Sequence, residues 1–320
     1  MKKLIFKSTS FLAGFFLLAL MIQLLLFFAI RRIHIGDFGV LNAIANGMIN
    51  TEMLICGSSR GYVHYNPVIL EKTTEISCYN ISANGSDLGV QLPILKWYLE
   101  KNRTPRFLVQ NIDVFTEEID PVIYEPFKFL PYLNNNSLFQ GLSRIDKRWW
   151  LHKYIPCSNL IYFGKDFQSN LIKELYQSLY KKKDYLIRGY FPRKNSKFND
   201  TYASDFLRRH AAGFHYSLSQ AYKEYLGELI NICRNHHIQL VLVICPEYAK
   251  FMALQTNRKE IIDYYVRLSQ DNGLWFFDFS HSEVCHNREY FYNFTHMNSE
   301  GADKFSRELA SELKKKIFVE

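Results

Sequence analysis

Residues 53–61 read MLICGSSRG. Four apolar residues run without polar alternation into Gly-Ser-Ser, the pattern of a strand buried on both faces that ends in a tight turn. The same pattern recurs outward along the chain in ISCYNIS (76–82), RFLVQNID (106–113), IQLVLVIC (238–245, closed by Pro246) and LWFFDFS (274–280). Helical stretches lie between these runs: one opens at Pro67 in PVILEK, one extends to about Asn102, and a last amphipathic one runs from about Ser299 to Lys316. Near-continuous apolar strands alternating with helices predict an α/β fold. The expected form is a three-layer sandwich around a mainly parallel five-stranded sheet, with chemistry at the carboxyl ends of the strands. The alternation breaks between about residues 117 and 215, a stretch rich in Tyr, Trp, Phe, Lys and Arg. It reads as an inserted cap region facing the substrate, not as a separate domain.

Residues 11–30, FLAGFFLLALMIQLLLFFAI, carry no charge and one strongly polar side chain, Gln23. As a helix rising about 1.5 Å per residue, this run covers about 30 Å, the thickness of a bilayer's hydrocarbon core. Arg31 and Arg32 follow it where a cleaved signal peptide would show small residues. The expectation is an uncleaved transmembrane signal anchor at 11–30, after a short cytoplasmic tail at 1–10. Lys2, Lys3 and Lys7 favour the N-terminus inside. That makes the chain a single-pass protein of the cell membrane with its soluble domain, residues 33–320, extracytoplasmic.

Of the 320 residues, 48% are hydrophobic and 22% charged, enough apolar content to bury a core and too little charge for disorder. The net charge of +8 says little about partners, because five of the 39 basic groups lie in the first 32 residues with no acid among them. The remainder carries 34 basic against 31 acidic groups, a balance that argues against nucleic acid. The stretch KKKDYLIRGYFPRKNSK (181–197) has seven basic groups and one acid, and reads either as a solvated face or as a contact for anionic envelope polymer or lipid headgroups. His281, Cys285 and His286 match no zinc-ligand spacing, so no metal and no cofactor are expected. Trp149 and Trp150 read as core or interface anchors, with a sugar-stacking platform as the alternative.

Three motifs carry the chemistry. Gly57 permits a tight turn and places Ser59 at a strand-to-helix corner. In YNISANGSDLG (79–89), Asn84 and Gly85 follow the second strand, and a glycine there lets a backbone N–H approach a developing oxyanion. In FYNFTHMNSEGADKFS (291–306), His296 occupies a polar loop between the last strand and the last helix, where catalytic loops collect.

In this order, over most of residues 50–317 apart from the insertion, these motifs resemble the SGNH, or GDSL-like, hydrolase superfamily. The resemblance implies a flavodoxin-like SGNH fold with Ser59 as nucleophile, His296 as general base, Gly85 as an oxyanion glycine and Asn111 as an oxyanion Asn. Ser58 stands where the family has the Asp of Gly-Asp-Ser. The family's acid three residues before His is Asn293 here, and Asp278, at the end of the fifth apolar run, is a candidate substitute acid. The combination GSSR, N-x-x-x-N-G and H-x-N-x-x-G is similar to the membrane-anchored envelope branch, which includes the teichoic-acid D-alanyl transfer protein and the alginate O-acetylation proteins. The implied activity is that of a serine acyl esterase or O-acyltransferase acting on an envelope polysaccharide or other glycan through an acyl-Ser intermediate. A multi-spanning membrane acyltransferase is the implied acyl-supplying partner. The alternative is a catalytically inactive SGNH-like envelope protein that binds a glycan or partner protein through the same cleft, and Asn293 is its support. Three geometric expectations follow: Ser59 and His296 within about 3.5 Å of each other, residues 11–30 as a lone helix off the domain, and an insertion that covers the cleft.

Overall fold

The structure, a computed structural model, describes residues 2–113, 122–158, 162, 169, 172–176, 180 and 183–318. Five parallel strands form one sheet: β1 (Met53–Cys56), β2 (Cys78–Asn80), β3 (Phe107–Asn111), β4 (Gln239–Ile244) and β5 (Trp275–Asp278), in the order β2-β1-β3-β4-β5. Each apolar run thus supplies a strand, trimmed at its ends. Side chains alternate between two cores. Leu54, Cys56, Leu108, Leu240, Leu242 and Ile244 enter one, while Met53, Ile55, Val109, Val241 and Val243 enter the other. Both faces being covered is what makes the strands apolar throughout.

Among the described residues, the α-helices of six or more residues are α1 (Lys2–Ile30), α2 (Gly36–Ala45), α3 (Ser59–His64), α4 (Pro67–Thr74), α5 (Leu88–Lys101), α6 (Asn136–Ile145), α7 (Trp149–Tyr154), α8 (Asp200–Arg209), α9 (Gln220–Asn235), α10 (Arg258–Asn272) and α11 (Ser299–Ile317). Helices α2, α5, α9 and α10 cover one face of the sheet, and α4 and α11 cover the other. Side chains from the motifs cap helix starts. Asp87 accepts from the Val90 N–H, and Asn298 accepts from Glu300 and Gly301. The chain leaves β1 toward β2 and returns across it to β3, so the strand order reverses between β1 and β3. The crevice outside the carboxyl ends there is where ligands of such sheets bind.

Part of the inserted stretch is stitched over that edge. The Asn80 N–H donates to the Arg188 carbonyl (3.0 Å), the Phe191 N–H to Tyr62 (2.9 Å) and the Ser299 N–H to Arg193 (3.2 Å). Gly189 is required in this contact: its φ is +82°, and a Cβ there would lie 1.8 Å from the Asn80 carbonyl oxygen. The basic stretch is accordingly not one continuous cationic face, since Arg188 pairs with Glu71 and the Asp184 carboxylate accepts from the Gly36 N–H at 3.0 Å.

Helix α1 is continuous from Lys2, so residues 2–10 extend the span as helix. Ile5–Ile30, 26 residues of mean hydropathy 2.6, is long and apolar enough to cross a membrane. It is not a lone helix. From about Ala19 its domain side is covered: Gln23 and Ile30 are buried, and Leu26 and Phe27 pack on the core. Asn42 of α2 locks the joint, donating to the carbonyls of Ile30 (2.9 Å) and Ile33 (2.8 Å) while accepting from the Tyr132 hydroxyl (2.7 Å). Arg31 donates to the Pro131 carbonyl. The expectation of a lone helix failed because the partners of Gln23 and Arg31 lie 134 and 100 residues away in sequence. Asn42→Leu is expected to cost about 1–3 kcal/mol, since buried carbonyls and a hydroxyl lose their partner; urea unfolding of the detergent-solubilised chain measures it.

Candidate active site

Ser59 opens α3 directly after β1. Every residue from Met53 to Ser58 is buried and Ser59 is half-buried, so the corner presents a hydroxyl at the crevice. The preceding Ser58 caps the helix by accepting from the Arg60 N–H, and its own hydroxyl donates to Asp113. Gly57 packs against Asn111, whose Cβ lies 2.7 Å from where a Gly57 Cβ would stand, so a larger residue cannot make this turn.

His296 faces Ser59 from the loop before α11, with Nε2 2.8 Å from Ser59 Oγ. The other ring nitrogen, Nδ1, lies 3.0 Å from Asn293 Oδ1 and 3.0 Å from Thr295 Oγ1. Asn293 Oδ1 also accepts from the backbone N–H groups of Thr295 (3.0 Å) and His296 (2.8 Å). Only an oxygen can accept from two backbone N–H groups, so the amide orientation is fixed and Nδ1 must be the protonated nitrogen. Nε2 is then an acceptor aimed at the Ser59 hydroxyl. Tyr292 stacks on the imidazole, with centroids 5.5 Å apart and planes at 21°. Burial, with Arg60 and Arg193 nearby, lowers the His296 pKa to about 3, Glu247 opposing weakly, so the ring stays neutral at physiological pH.

Beneath the dyad is a buried ionic cluster. Arg60, fully buried, pairs with Glu247 (2.5 Å) and Asp113 (3.3 Å), and Glu247 also pairs with Arg258. Burial opposes the Arg60 charge, but Glu247 and Asp113 outweigh it and raise its pKa. Burial likewise pushes Glu247 up, and Arg60 and Arg258 outweigh that and hold it below its ordinary value. For Asp113 burial wins, and its pKa is raised despite Arg60. His64, also fully buried, accepts from the Met297 N–H through Nε2 (2.9 Å) and lies 3.1 Å from Cys245 Sγ through Nδ1. It is neutral, its pKa lowered by burial and the neighbouring His296 and Arg60, and it pins the residue after the base.

The structure brings Ser59, His296 and Asn293 together. Gly85 lies in an exposed turn at φ +65°, with the Tyr124 ring of the insertion where a Cβ would go (2.6 Å). Among the described residues, neither the Ser59 N–H nor the Gly85 N–H donates to a protein acceptor. Asp278 is not in the site: its carboxylate accepts from the Ser280 N–H (2.9 Å) and hydroxyl (2.5 Å), and no described carboxylate hydrogen-bonds His296. Asn111 also departs from its expected role. Its Oδ1 accepts from the Tyr65 hydroxyl (2.8 Å) and its Nδ2 donates to Asp113 (2.9 Å), so it braces the buried floor. Arg60, His64 and Glu247 escaped the sequence reading. The one sequence signal for Glu247 is a charge directly after the Cys245-Pro246 end of an apolar strand. Beside the dyad lies a cleft of about 510 Å³, walled by Tyr62, Asn84, Lys128, Tyr185, Arg193 and Tyr292.

The chain is similar to solved structures of GDSL-type lipolytic proteins, acylhydrolases and carbohydrate esterases. One is a lipolytic protein of the G-D-S-L family from Desulfitobacterium hafniense (8% identity, TM-score 0.39, covering 81% of this chain and 98% of that one). Another is an acylhydrolase from Bacteroides fragilis (11% identity, TM-score 0.34, 82% and 87%). A third is an acetyl xylan esterase from the rumen bacterium Butyrivibrio proteoclasticus (10% identity, TM-score 0.35, 84% and 64%). No family model and no curated sequence matches the chain. Similarity this distant carries no chemistry with it, so function has to be read from the geometry at Ser59.

Glu247→Leu is expected to destabilise the protein by about 3–5 kcal/mol, because it removes the shorter of the two ion pairs that hold the buried Arg60. Urea unfolding measures it, and a loss under about 0.5 kcal/mol would mean that the cation is hydrated.

Proposed function

We propose that this chain is an SGNH-like serine acyl esterase or O-acyltransferase. In this reading α1 anchors it in the cell membrane, and the domain outside acts on a cell-envelope glycan. The observation that carries the chemistry is the 2.8 Å contact between His296 Nε2 and Ser59 Oγ, with Nδ1 held by an amide oxygen whose orientation is fixed.

As Ser59 Oγ attacks an ester carbonyl, His296 Nε2 takes its proton, and the N–H groups of Ser59 and Gly85 receive the developing oxyanion. The imidazolium then protonates the departing alcohol, leaving an acyl-Ser59. Water deprotonated by His296 completes a hydrolysis; a glycan hydroxyl deprotonated in the same way completes a transfer. The aromatic walls Tyr62, Tyr185 and Tyr292, with Asn84 beside them, suit a sugar, which presents apolar ring faces and hydroxyls together. A multi-spanning membrane acyltransferase is the kind of partner that supplies acyl groups to a domain on the outer side.

One observation favours the second reading, a silent glycan- or partner-binding protein: Nδ1 meets an amide, not a carboxylate, so nothing adjacent stabilises the imidazolium. In a Ser-His-Asp triad the Asp-to-Asn change costs about 10⁴ in rate, largely through the wrong tautomer. Here the backbone donors keep the right one, so a slower but competent site is expected.

A serine-reactive fluorophosphonate probe separates the two. The full-length protein in detergent is expected to label and Ser59→Ala not to; equal labelling of both, or of neither, favours the binding reading. Because the base works only when deprotonated, a pKa near 3 predicts a labelling rate that is flat from about pH 5 to 8. Asn293→Asp is expected to raise that rate at least about 10-fold, by stabilising the imidazolium, and to introduce a loss of rate on the acid side as the His296 pKa climbs. A slower Asn293→Asp would show that the amide is the better partner here.

A further inference from the structure

The inserted stretch touches α1 at a depth that its sequence does not announce. Cys157 donates its N–H to Gln23 Oε1 (2.6 Å) and its thiol to the Ala19 carbonyl (3.2 Å). Gln23 and Ala19 precede Ile30, the last residue of α1, by seven and eleven positions. At about 1.5 Å per residue, these contacts lie about 10 and 16 Å down the helix from Ile30.

Just before Cys157 runs α7. It turns Trp149 and His152 inward, at 2% and 6% exposure, and leaves Trp150 (58%), Leu151 (49%), Tyr154 (50%) and the following Ile155 (46%) uncovered. His152 and Lys153 of this helix share a groove of about 440 Å³ with Leu20, Leu24 and Phe27 of α1 and with Arg31 just after it. Helix α7 thus lines the same groove as α1, whose own uncovered side chains include Met21, Ile22, Leu24, Leu25 and Phe28, each at least 45% exposed. Lys147, Arg148 and Lys153 flank the four apolar side chains; Lys153 Nζ lies 3.9 Å from the Phe139 ring centre and 5.5 Å from that of Tyr154, a cation kept over aromatic rings at the edge of an apolar patch.

We infer that the face formed by Trp150, Leu151, Tyr154 and Ile155 is a second membrane-contact site, seated in the headgroup and upper acyl layer of the leaflet from which α1 emerges. The inference rests on reading α1 as a membrane span. An apolar patch of this kind is costly in water. Trp and Tyr are the side chains that concentrate at the membrane–water boundary, and basic residues beside them reach the phosphates. Lipid is the favoured occupant, because the helix that carries the patch shares a groove with α1, and Cys157, just beyond it, is hydrogen-bonded to α1. With Asn42 and Arg31 fixing the joint, this contact gives the domain one tilt on the membrane and holds the Ser59 cleft at a set height above it.

The test uses the tryptophans. Of the four, Trp97, Trp149 and Trp275 are at most 9% exposed, so Trp150 alone is open to a quencher in lipid. The full chain is placed in nanodiscs of phosphatidylcholine brominated either near the headgroup or near the chain ends. The shallow bromines are expected to quench part of the fluorescence of the protein, and Trp150→Phe is expected to lose that quenched part. Quenching that is absent, or unchanged in Trp150→Phe, overturns the inference. Phe15→Trp in the Trp150→Phe background reads the span itself, since Phe15 is 66% exposed in the middle of α1. Quenching of this probe by the deep bromines, with no quenching of Trp150, retains the span and rejects the second contact. Failure of both signals rejects the span reading together with the contact built on it.

Discussion

One amide oxygen decides what this site can do. Asn293 Oδ1 accepts from two backbone N–H groups, so it cannot rotate away or exchange places with its NH₂. The third group it faces, His296 Nδ1, is then obliged to carry the proton, and Nε2 is left with a lone pair directed at Ser59. An Asp would fix the same tautomer and add a negative charge. The Asn fixes it without the charge, so the orienting part of a triad survives while the electrostatic part is missing. That division explains a histidine that is correctly aimed yet easily kept neutral.

The charge absent from the loop is present below it, arranged for a different purpose. Arg60, adjacent to the nucleophile, is sunk between Glu247 and Asp113, and Arg258 completes the pair with Glu247. Removing two or more ions from water is expensive, and a cluster of this kind is tolerable only when its members satisfy one another. Its structural effect is to tie the end of β1, the end of β3 and the segment after β4 into one floor. Its electrostatic effect on His296 is to disfavour protonation, since Arg60 outweighs Glu247 there. The cluster thus adds to the low basicity that burial gives the ring, while it braces the floor.

The sheet was legible because parallel strands covered on both faces have to be apolar without interruption, and MLIC at 53–56 is a strand residue for residue. The carboxyl-end placement of Ser59 and His296 follows from that sheet, and a Gly-Ser corner and a His-loop-helix pattern mark the positions. Asn111 misled for a physical reason. An Asn at the end of a buried strand can face the crevice or the floor, and the choice is made by Tyr65 and Asp113, which no local pattern announces. Asp278 was a matter of nearness in sequence only, since its carboxylate is taken by Ser280. Arg60 is fully buried, and its position one residue after Ser59 in a turn gives no local sign of that. The contact of α1 with the domain was equally hidden, because a lone Gln in an apolar helix shows its meaning only when its partner, Cys157, is known.

The central claim is that Ser59 is a nucleophile. The most direct measurement is to expose the full-length protein briefly to an activated acetyl ester, quench in acid and map the acetyl group by peptide mass spectrometry. The account predicts an acetyl group on the peptide carrying Ser59, lost in His296→Ala, whose nucleophile has no base. An acetyl group that is absent, or found only on surface lysines and unaffected by His296→Ala, would contradict it and leave the cleft as a binding site.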